Sequence, residues 1–361
     1  MRHAETLRVP VWSVVMPLLG LLMWVGLGKS GHWAAGVVIA ALLVGGVISA
    51  VRHAEAVALR VGEPFGTLVL TLSVTSIEVS LIVALMLNAD PNPALVRDTM
   101  VAVVFLVVHG VAGLCIVVGT LRHREQEFRT AGASAFLTVL LPMVVLVLVL
   151  PNFTFSTSGP FYTPGQLAFV AVVCLLLYLS FLFVQTMRHR DYFLPASDAP
   201  AAREARPRIS RFVFLASLAL LPVALVAVAL LAKSMAVFIE DGLEAMRAPE
   251  KLTGVIVAAI VLAPETGAAL RAAYGNRLQT SINVALGSAL ASIGLTVPVV
   301  AAISLGIGHQ LNLGVEPGSM VLLSLSFLMA MLTYGRGSTN LLSGLVHLVL
   351  LACYVFLIFA P

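Results

Sequence analysis

Long apolar runs separated by short polar stretches make up most of the chain, and their length predicts membrane-spanning helices. A helix that crosses the hydrocarbon core needs about 20 mainly apolar residues. About eleven runs of this kind occur, near 9–28, 33–51, 64–89, 99–121, 130–150, 164–187, 212–232, 252–270, 278–303, 317–334 and 337–360. We therefore predict an all-α polytopic membrane protein with about eleven transmembrane helices. The first run lacks the small-residue cleavage pattern of a signal peptide, so we expect a retained leading helix.

A polar linker at 188–211, which carries several Arg and Pro residues, divides the runs. The predicted order is an N-terminal segment with a leading helix (1–32), a five-helix repeat (33–187), the cytoplasmic linker (188–211) and a second five-helix repeat (212–361). Because each repeat has an odd number of helices, the second enters the membrane in the inverted orientation. Inverted repeats are a recurrent architecture of secondary transporters, whose ion site lies near the bilayer midplane.

The distribution of Lys and Arg predicts the orientation of the chain. Sorted by alternating loops, 16 of the 21 fall on the side of the N-terminus and five on the other. Because positive residues collect in cytoplasmic loops, we expect a cytoplasmic N-terminus and an external C-terminus, in a bacterial inner (plasma) membrane.

The amino-acid composition also indicates a membrane protein and argues against a soluble or nucleic-acid-binding protein. The chain is 60% hydrophobic and 11% charged, with a mean hydropathy of +1.04, whereas soluble domains are about 25% charged. The net charge of +4 forms no patch suited to nucleic acid. The cysteines Cys115, Cys174 and Cys353 lie in apolar runs without metal-ligand spacing, so we expect them to act as small hydrophobic residues.

Two carboxylates lie well inside apolar runs. Glu78 is in the second helix of the first predicted repeat, and Glu265 is in the second helix of the second. A charged group at the bilayer centre costs at least about 2.5–3.5 kcal/mol. Such residues at corresponding positions predict an ion site, and the structural alternative is a pair of protonated carboxyls that lock helices together.

Hydroxyl groups accompany Glu78. Thr71 and Thr75 precede it by seven and three residues, which places all three on one helical stripe. Ser76 is a further candidate. Hydroxyl and carboxylate oxygens are ligands for hard cations such as Ca²⁺, although Ser and Thr also bond back to helix carbonyls without binding any ion.

A proline precedes Glu265. Pro264 has no N–H, so the carbonyl of Ile260 loses its helical donor and becomes a candidate cation ligand. A kink without a binding role is the alternative. Asn283 and Ser288 in the following helix are accessory candidates, and tight helix packing would equally explain the small residues beside them.

Two histidines, His109 and His347, also lie within apolar runs. Histidine can relay protons, but an isolated histidine in a helix bundle more often bonds to a neighbouring helix. A transport role and a structural role are therefore both open for these residues.

The segments around the two glutamates resemble a known family, the ChaA-type sodium/calcium–proton antiporters of the cation/calcium exchanger superfamily. The matching segments are 51–54, 62–68, 73–74, 78–80, 97–99, 264–265, 283–292, 295–298 and 335–340. The resemblance implies that the repeat glutamates, here Glu78 and Glu265, bind the transported cation and exchange it for protons.

Two departures from the family pattern bear on the cation. Calcium–proton exchangers carry Gly-Asn one turn before each repeat glutamate, and those places hold Val74-Thr75 and Val261-Leu262 here. Two amide oxygens are therefore absent. The linker also lacks the acidic run found between the halves of many exchangers.

The predicted function is antiport of Ca²⁺ or Na⁺, with K⁺ as a further candidate, against H⁺ by alternating access at a two-glutamate site. A cation channel or uniporter that uses the same glutamates is the alternative. We expect no enzymatic activity, because the spans carry no His-Glu-x-x-His and no Ser/His/Asp grouping. The expected partners are inorganic cations, protons and lipid, without cofactor or nucleic acid; the oligomeric state is left open.

Overall fold

The structure is a computed structural model that describes residues 10–27, 33–62, 65–86, 92–194 and 209–360. Its helices are α1 Val11–Leu27, α2 Trp33–Val61, α3 Phe65–Met86, α4 Leu95–Phe105, α5 Ala112–His123, α6 Thr130–Val144, α7 Pro164–Phe183, α8 Arg211–Ala245, α9 Lys251–Tyr274, α10 Leu278–Ala291, α11 Val297–Ile307, α12 Pro317–Tyr334 and α13 Leu341–Phe359. Most of the predicted linker, and Arg2 and Arg8 of the N-terminal segment, lie outside the described residues.

The prediction of an all-α polytopic membrane protein is confirmed. Within the described ranges, ten continuous helical segments are long and apolar enough to cross a membrane. The predicted leading helix is α1, which has 17 residues and is shorter than the other spans. The prediction of about eleven helices therefore corresponds to ten long helices and this shorter one.

Several helices continue beyond the apolar runs that predict them. Helix α8 runs from Arg211 to Ala245, so the segment after the predicted apolar run at 212–232 is still helical. Hydropathy marks only the part of a helix that lies in lipid, whereas the backbone hydrogen bonds continue until a cap ends them. Arg97, which precedes the apolar run at 99–121, also lies in α4 and is buried.

A short antiparallel ribbon accompanies the helices. Gln126 pairs with Thr339 and Glu127 with Ser338, so the segment between α5 and α6 is hydrogen-bonded to the segment between α12 and α13. The strand Ser338–Thr339 of this ribbon lies between α12 and α13, the helices predicted from the runs at 317–334 and 337–360.

The helices form two compact units, the first of which contains α1, α2, α3 and α8. A histidine connects three of these helices. Nε2 of His53 donates to the carbonyl of Ser13 over 3.0 Å, and its Nδ1 lies 3.3 Å from the hydroxyl of Ser217. The hydroxyl of Ser49 donates to the same carbonyl over 2.5 Å. Both nitrogens of this buried imidazole are satisfied, which suits a structural role.

The second unit contains α4 to α7 and α9 to α13. Helices α4 and α9 approach closely at Gly254 of α9, where an added Cβ would lie 2.6 Å from the carbonyl carbon of Asp98 and 2.7 Å from the nitrogen of Thr99. A side chain at this position would collide with the backbone of the neighbouring helix. The two five-helix repeats divide the chain by sequence and remain a prediction.

The described part of the second unit contains four π-helical turns, and each continues the helix before it. They are Leu106–Val111 after α4, Val145–Val149 after α6, Val184–Arg188 after α7 and Ser292–Thr296 after α10. Such turns accommodate one extra residue and are frequent at functional sites. The first of them contains His109.

An apolar stripe on α7 is exposed at intervals of three and four residues. Its residues are Phe169, Val172, Leu176, Leu179 and Phe183. This spacing places them on one face of the helix. An exposed apolar face of this length is the surface that hydrocarbon covers in a membrane protein.

Candidate functional site

Glu78 lies near the middle of α3, a helix that packs against α2 and α8 in the first unit. The side chain is buried, with 1% of the residue exposed. Of the candidate hydroxyl residues on this helix, Thr75 is buried, Thr71 is half-buried and Ser76 is exposed.

The serine hydroxyls of α3 bond to their own helix. Ser73 donates to the carbonyl of Val69 and Ser76 to that of Leu72, each over 2.7 Å. This is the back-bonding that competes with ligation for Ser and Thr in helices. A hydroxyl that donates its proton keeps its lone pairs, so these oxygens remain able to contact a cation.

Glu265 lies in α9, which continues through Pro264 without ending. Glu265 is half-buried, as is Ile260, whose carbonyl was predicted as a ligand. Thr266 donates its hydroxyl to the carbonyl of Leu262 over 2.7 Å. The structure thus places a carboxylate directly after a proline, in a stretch of helix whose backbone acceptors lack one donor.

Asn283 makes two hydrogen bonds that stabilise the fold. Its Nδ2 donates to the carbonyl of Phe193 over 2.6 Å, and its Oδ1 accepts from Nε2 of Gln279 over 2.9 Å. The amide therefore ties α10 to the segment after α7. Ser288, the other accessory candidate on α10, is half-buried. Ligation by either residue stays a prediction.

A second polar region lies in the second unit, around the start of α4. Arg97 and Asp98 are both buried, and Nε of Arg97 donates to Oδ1 of Asp98 over 2.8 Å. They line a cavity of about 180 Å³ together with Lys251, Glu316 and Tyr354. Lys251 and Glu316 form an ion pair of 2.5 Å that is partly exposed.

Sequence reasoning missed the burial of Asp98, because this residue lies just before the apolar run at 99–121. The segment 97–99 is part of the family resemblance, but the resemblance does not show whether Arg97 and Asp98 are buried or lie in a loop.

Sequence reasoning also missed the pairing of His109 with His347, whose Nδ1 atoms lie 2.8 Å apart. Among the described residues, no group of three or more His, Cys, Asp or Glu side chains is arranged to hold a metal ion.

Comparison with protein families gives one match that covers most of the chain. The family model described as sodium/calcium exchanger protein matches residues 31–187 and 216–360. These two segments include Glu78 and Glu265, respectively.

Two relatives match over nearly their whole length. A protein of Sinorhizobium fredii named as an ionic transporter, y4hA, is 44% identical, and the match covers 99% of each chain. The sodium-potassium/proton antiporter ChaA of Escherichia coli is 34% identical, with 99% of this chain and 97% of the relative covered.

Solved structures share the fold. The structure of native YfkE superposes with a TM-score of 0.73 at 18% identity and covers 98% of this chain and 99% of the other. The H⁺/Ca²⁺ exchanger CAX superposes with a TM-score of 0.69 at 14% identity, with 95% and 87% covered.

Proposed function

Since the chain belongs to the sodium/calcium exchanger family, we propose that it is a proton-coupled cation antiporter that exchanges Ca²⁺, Na⁺ or K⁺ for H⁺ by alternating access. The observation that carries the proposal is Glu78, a carboxylate buried near the middle of an apolar helix. An ionised carboxylate is costly in lipid, so carboxylates in spans mark ion and proton pathways.

In this mechanism Glu78 and Glu265 each contribute a carboxylate to the binding of the transported cation. When ionised, the two carboxylates are neutralised by one divalent cation or by two monovalent cations. When protonated, they carry no charge and release the cation. The carboxylate pair therefore has the same net charge with the cation bound as with two protons bound. Cation and protons compete for the same two groups. In a shared site of this kind the two carboxylates titrate as a coupled pair, so the macroscopic pKa values belong to the pair.

The ligands beside the carboxylates bear on which cation is carried. On α3 the candidate donors are the hydroxyls of Thr71, Thr75 and Ser76, and on α9 the carbonyl of Ile260. Without the two amide oxygens of calcium–proton exchangers, these ligands suit Na⁺ or K⁺ as well as Ca²⁺. The Escherichia coli relative is named a sodium-potassium/proton antiporter, and a relative in Bacillus subtilis, 24% identical, is named a Ca²⁺/H⁺ antiporter. Each cation is therefore assayed separately.

The test is dissipation of a proton gradient in everted vesicles on addition of Ca²⁺, Na⁺ or K⁺. We expect Glu78→Gln and Glu265→Gln each to abolish the response, because a neutral amide neither balances the cation nor binds a proton. Glu125→Gln is the matched control, since Glu125 lies exposed between α5 and the ribbon.

Two outcomes would contradict the proposal. Exchange near the wild-type rate in either glutamine variant would show that the carboxylate is dispensable. Cation flux that ignores an imposed pH gradient would instead support the channel or uniporter.

A further inference from the structure

Two histidines from distant parts of the chain form a buried pair inside the second unit. Nδ1 of His109 lies 2.8 Å from Nδ1 of His347, and both residues are 0% exposed. His109 is in the π-helical turn after α4, and His347 is in α13. Both positions are within membrane spans, far from the loops in which histidines are commonly solvated.

The pair has one open nitrogen. A direct bond between two Nδ1 atoms needs one ring to donate and the other to accept. Nε2 of His347 is 3.0 Å from the hydroxyl of Thr333 on α12, whereas Nε2 of His109 is buried and has no hydrogen-bond partner among the residues that the structure describes. In the tautomer in which Nδ1 of His109 carries the proton and donates to His347, Nε2 of His109 is unprotonated, and its lone pair can accept a proton.

Two glycines allow the helices that carry the two rings to pack closely. At Gly113, one turn after His109, an added Cβ would lie 3.0 Å from Cβ of His347. At Gly344 an added Cβ would lie 2.8 Å from a methyl group of Val117. Helices α5 and α13 therefore approach closely at two glycines, one on each helix, next to the imidazole contact.

The surroundings are mainly apolar or aromatic. The ring of Phe105 lies 5.7 Å from that of His109, and the ring of Tyr334 lies 6.5 Å from that of His347. Tyr354 stacks on Phe105. The titratable residues of the helices packed against the pair are Cys115, Arg122 and His123 on α5, Arg97 and Asp98 on α4, and Lys251, Glu265, Arg271 and Tyr274 on α9, whereas α10 carries none.

We propose that the His109–His347 pair is a proton-binding site that holds one exchanged proton, in addition to those on Glu78 and Glu265, during the proton-loaded half of the transport cycle. The proton adds to Nε2 of His109, and the resulting single positive charge is shared with His347 across the Nδ1–H···Nδ1 bond. Release of the same proton restores two neutral rings. Thr333 positions His347 by accepting its Nε2–H. This inference rests on the proposed antiport function.

The experiment compares two exchange modes in proteoliposomes for wild type, His109→Gln, His347→Gln and Thr333→Val. Cation–proton exchange requires the pair, whereas cation–cation exchange with the same isotope-labelled ion requires no proton. We expect each His variant to slow cation–proton exchange at least about tenfold and to leave cation–cation exchange within about twofold of wild type. Thr333→Val should lower the ratio of cation–proton to cation–cation exchange by a smaller factor than the His variants do.

His53→Gln is the matched control, because His53 is equally buried but has both nitrogens bonded. It should leave the ratio of the two modes unchanged, even where it lowers the amount of folded protein. An unchanged ratio in both His109→Gln and His347→Gln would overturn the proposal, because it would give the pair a purely structural role.

A spectroscopic measurement judges the site independently of transport. In purified protein labelled at histidine nitrogens, acidification should produce an imidazolium signal that is lost in His109→Gln. If this signal is present but wild type shows no proton-coupled exchange, the proposed function fails and the proton site stands. If exchange is present and no such signal depends on His109, the proton site fails and the function stands.

Discussion

The close approach of α4 and α9 at Gly254 makes a quantitative prediction for Gly254→Ala. The new Cβ would lie 2.6 Å from the carbonyl carbon of Asp98, whereas ordinary Cβ contacts begin near 3.4 Å. The two backbones would have to separate by about 0.8 Å. Because neither is the end of a flexible side chain, the strain falls on helix packing.

The net effect combines two terms of opposite sign. Overpacking of this kind costs about 1–3 kcal/mol, whereas replacing a helical glycine with alanine stabilises a helix by about 0.5–1 kcal/mol. We expect Gly254→Ala to destabilise the protein by about 1–2 kcal/mol. Gly306→Ala, where nothing lies within 4 Å of the added Cβ, is the matched control and should be neutral or stabilising.

The assay is thermal unfolding in detergent, together with cation–proton exchange in vesicles. Glu265 is eleven residues after Gly254 on α9, which is about three turns and returns to nearly the same face. A displaced α9 should therefore also lower the exchange rate. Equal melting temperatures for Gly254→Ala and Gly306→Ala would refute the close packing of α4 and α9.

Three further predictions concern single side chains. Thr75→Val should raise the apparent KM for the cation about threefold or more in the vesicle assay, while Thr75→Ser should stay near wild type; equal values for both would remove this hydroxyl from the ligands. Thr163→Ala should lower stability by about 1 kcal/mol in thermal unfolding, because Thr163 caps α7 in a reciprocal pair with Gln166; no change would contradict that cap. Lys251→Gln should alter stability by less than about 1 kcal/mol in the same measurement, because its ion pair with Glu316 is partly exposed; a larger loss would indicate a structural role for the pair.

Hydrophobicity made the helical spans and the positions of the two glutamates predictable from the sequence. Lipid requires each span to satisfy its backbone internally, so an apolar run of sufficient length has few alternatives to a helix. For the same reason Glu78 stood out, since a carboxylate is rare in such a run. The ends of helices were less predictable: α8 continues past Lys233 and α4 includes Arg97, because helical hydrogen bonding does not stop where hydrophobicity does.

Contacts between residues far apart in the sequence could not be predicted from local sequence patterns. His109 and His347 are separated by 238 residues, and each one alone reads as an isolated polar residue in an apolar run. The bonds of Asn283 to Gln279 and Phe193 depend in the same way on how α10 meets the segment after α7. Such contacts require the relative placement of helices, which one sequence without its fold does not supply.

The π-helical turn at Leu106–Val111 divides the span 95–123 into two segments with different rotational phase. An α-helix advances by about 100° per residue, and one extra residue in a π turn shifts everything after it by about that angle. A cysteine-labelling scan along this span should therefore follow two separate periodic patterns, out of step by about one position. A single uninterrupted pattern from 95 to 123 would mean that the extra residue is absorbed elsewhere.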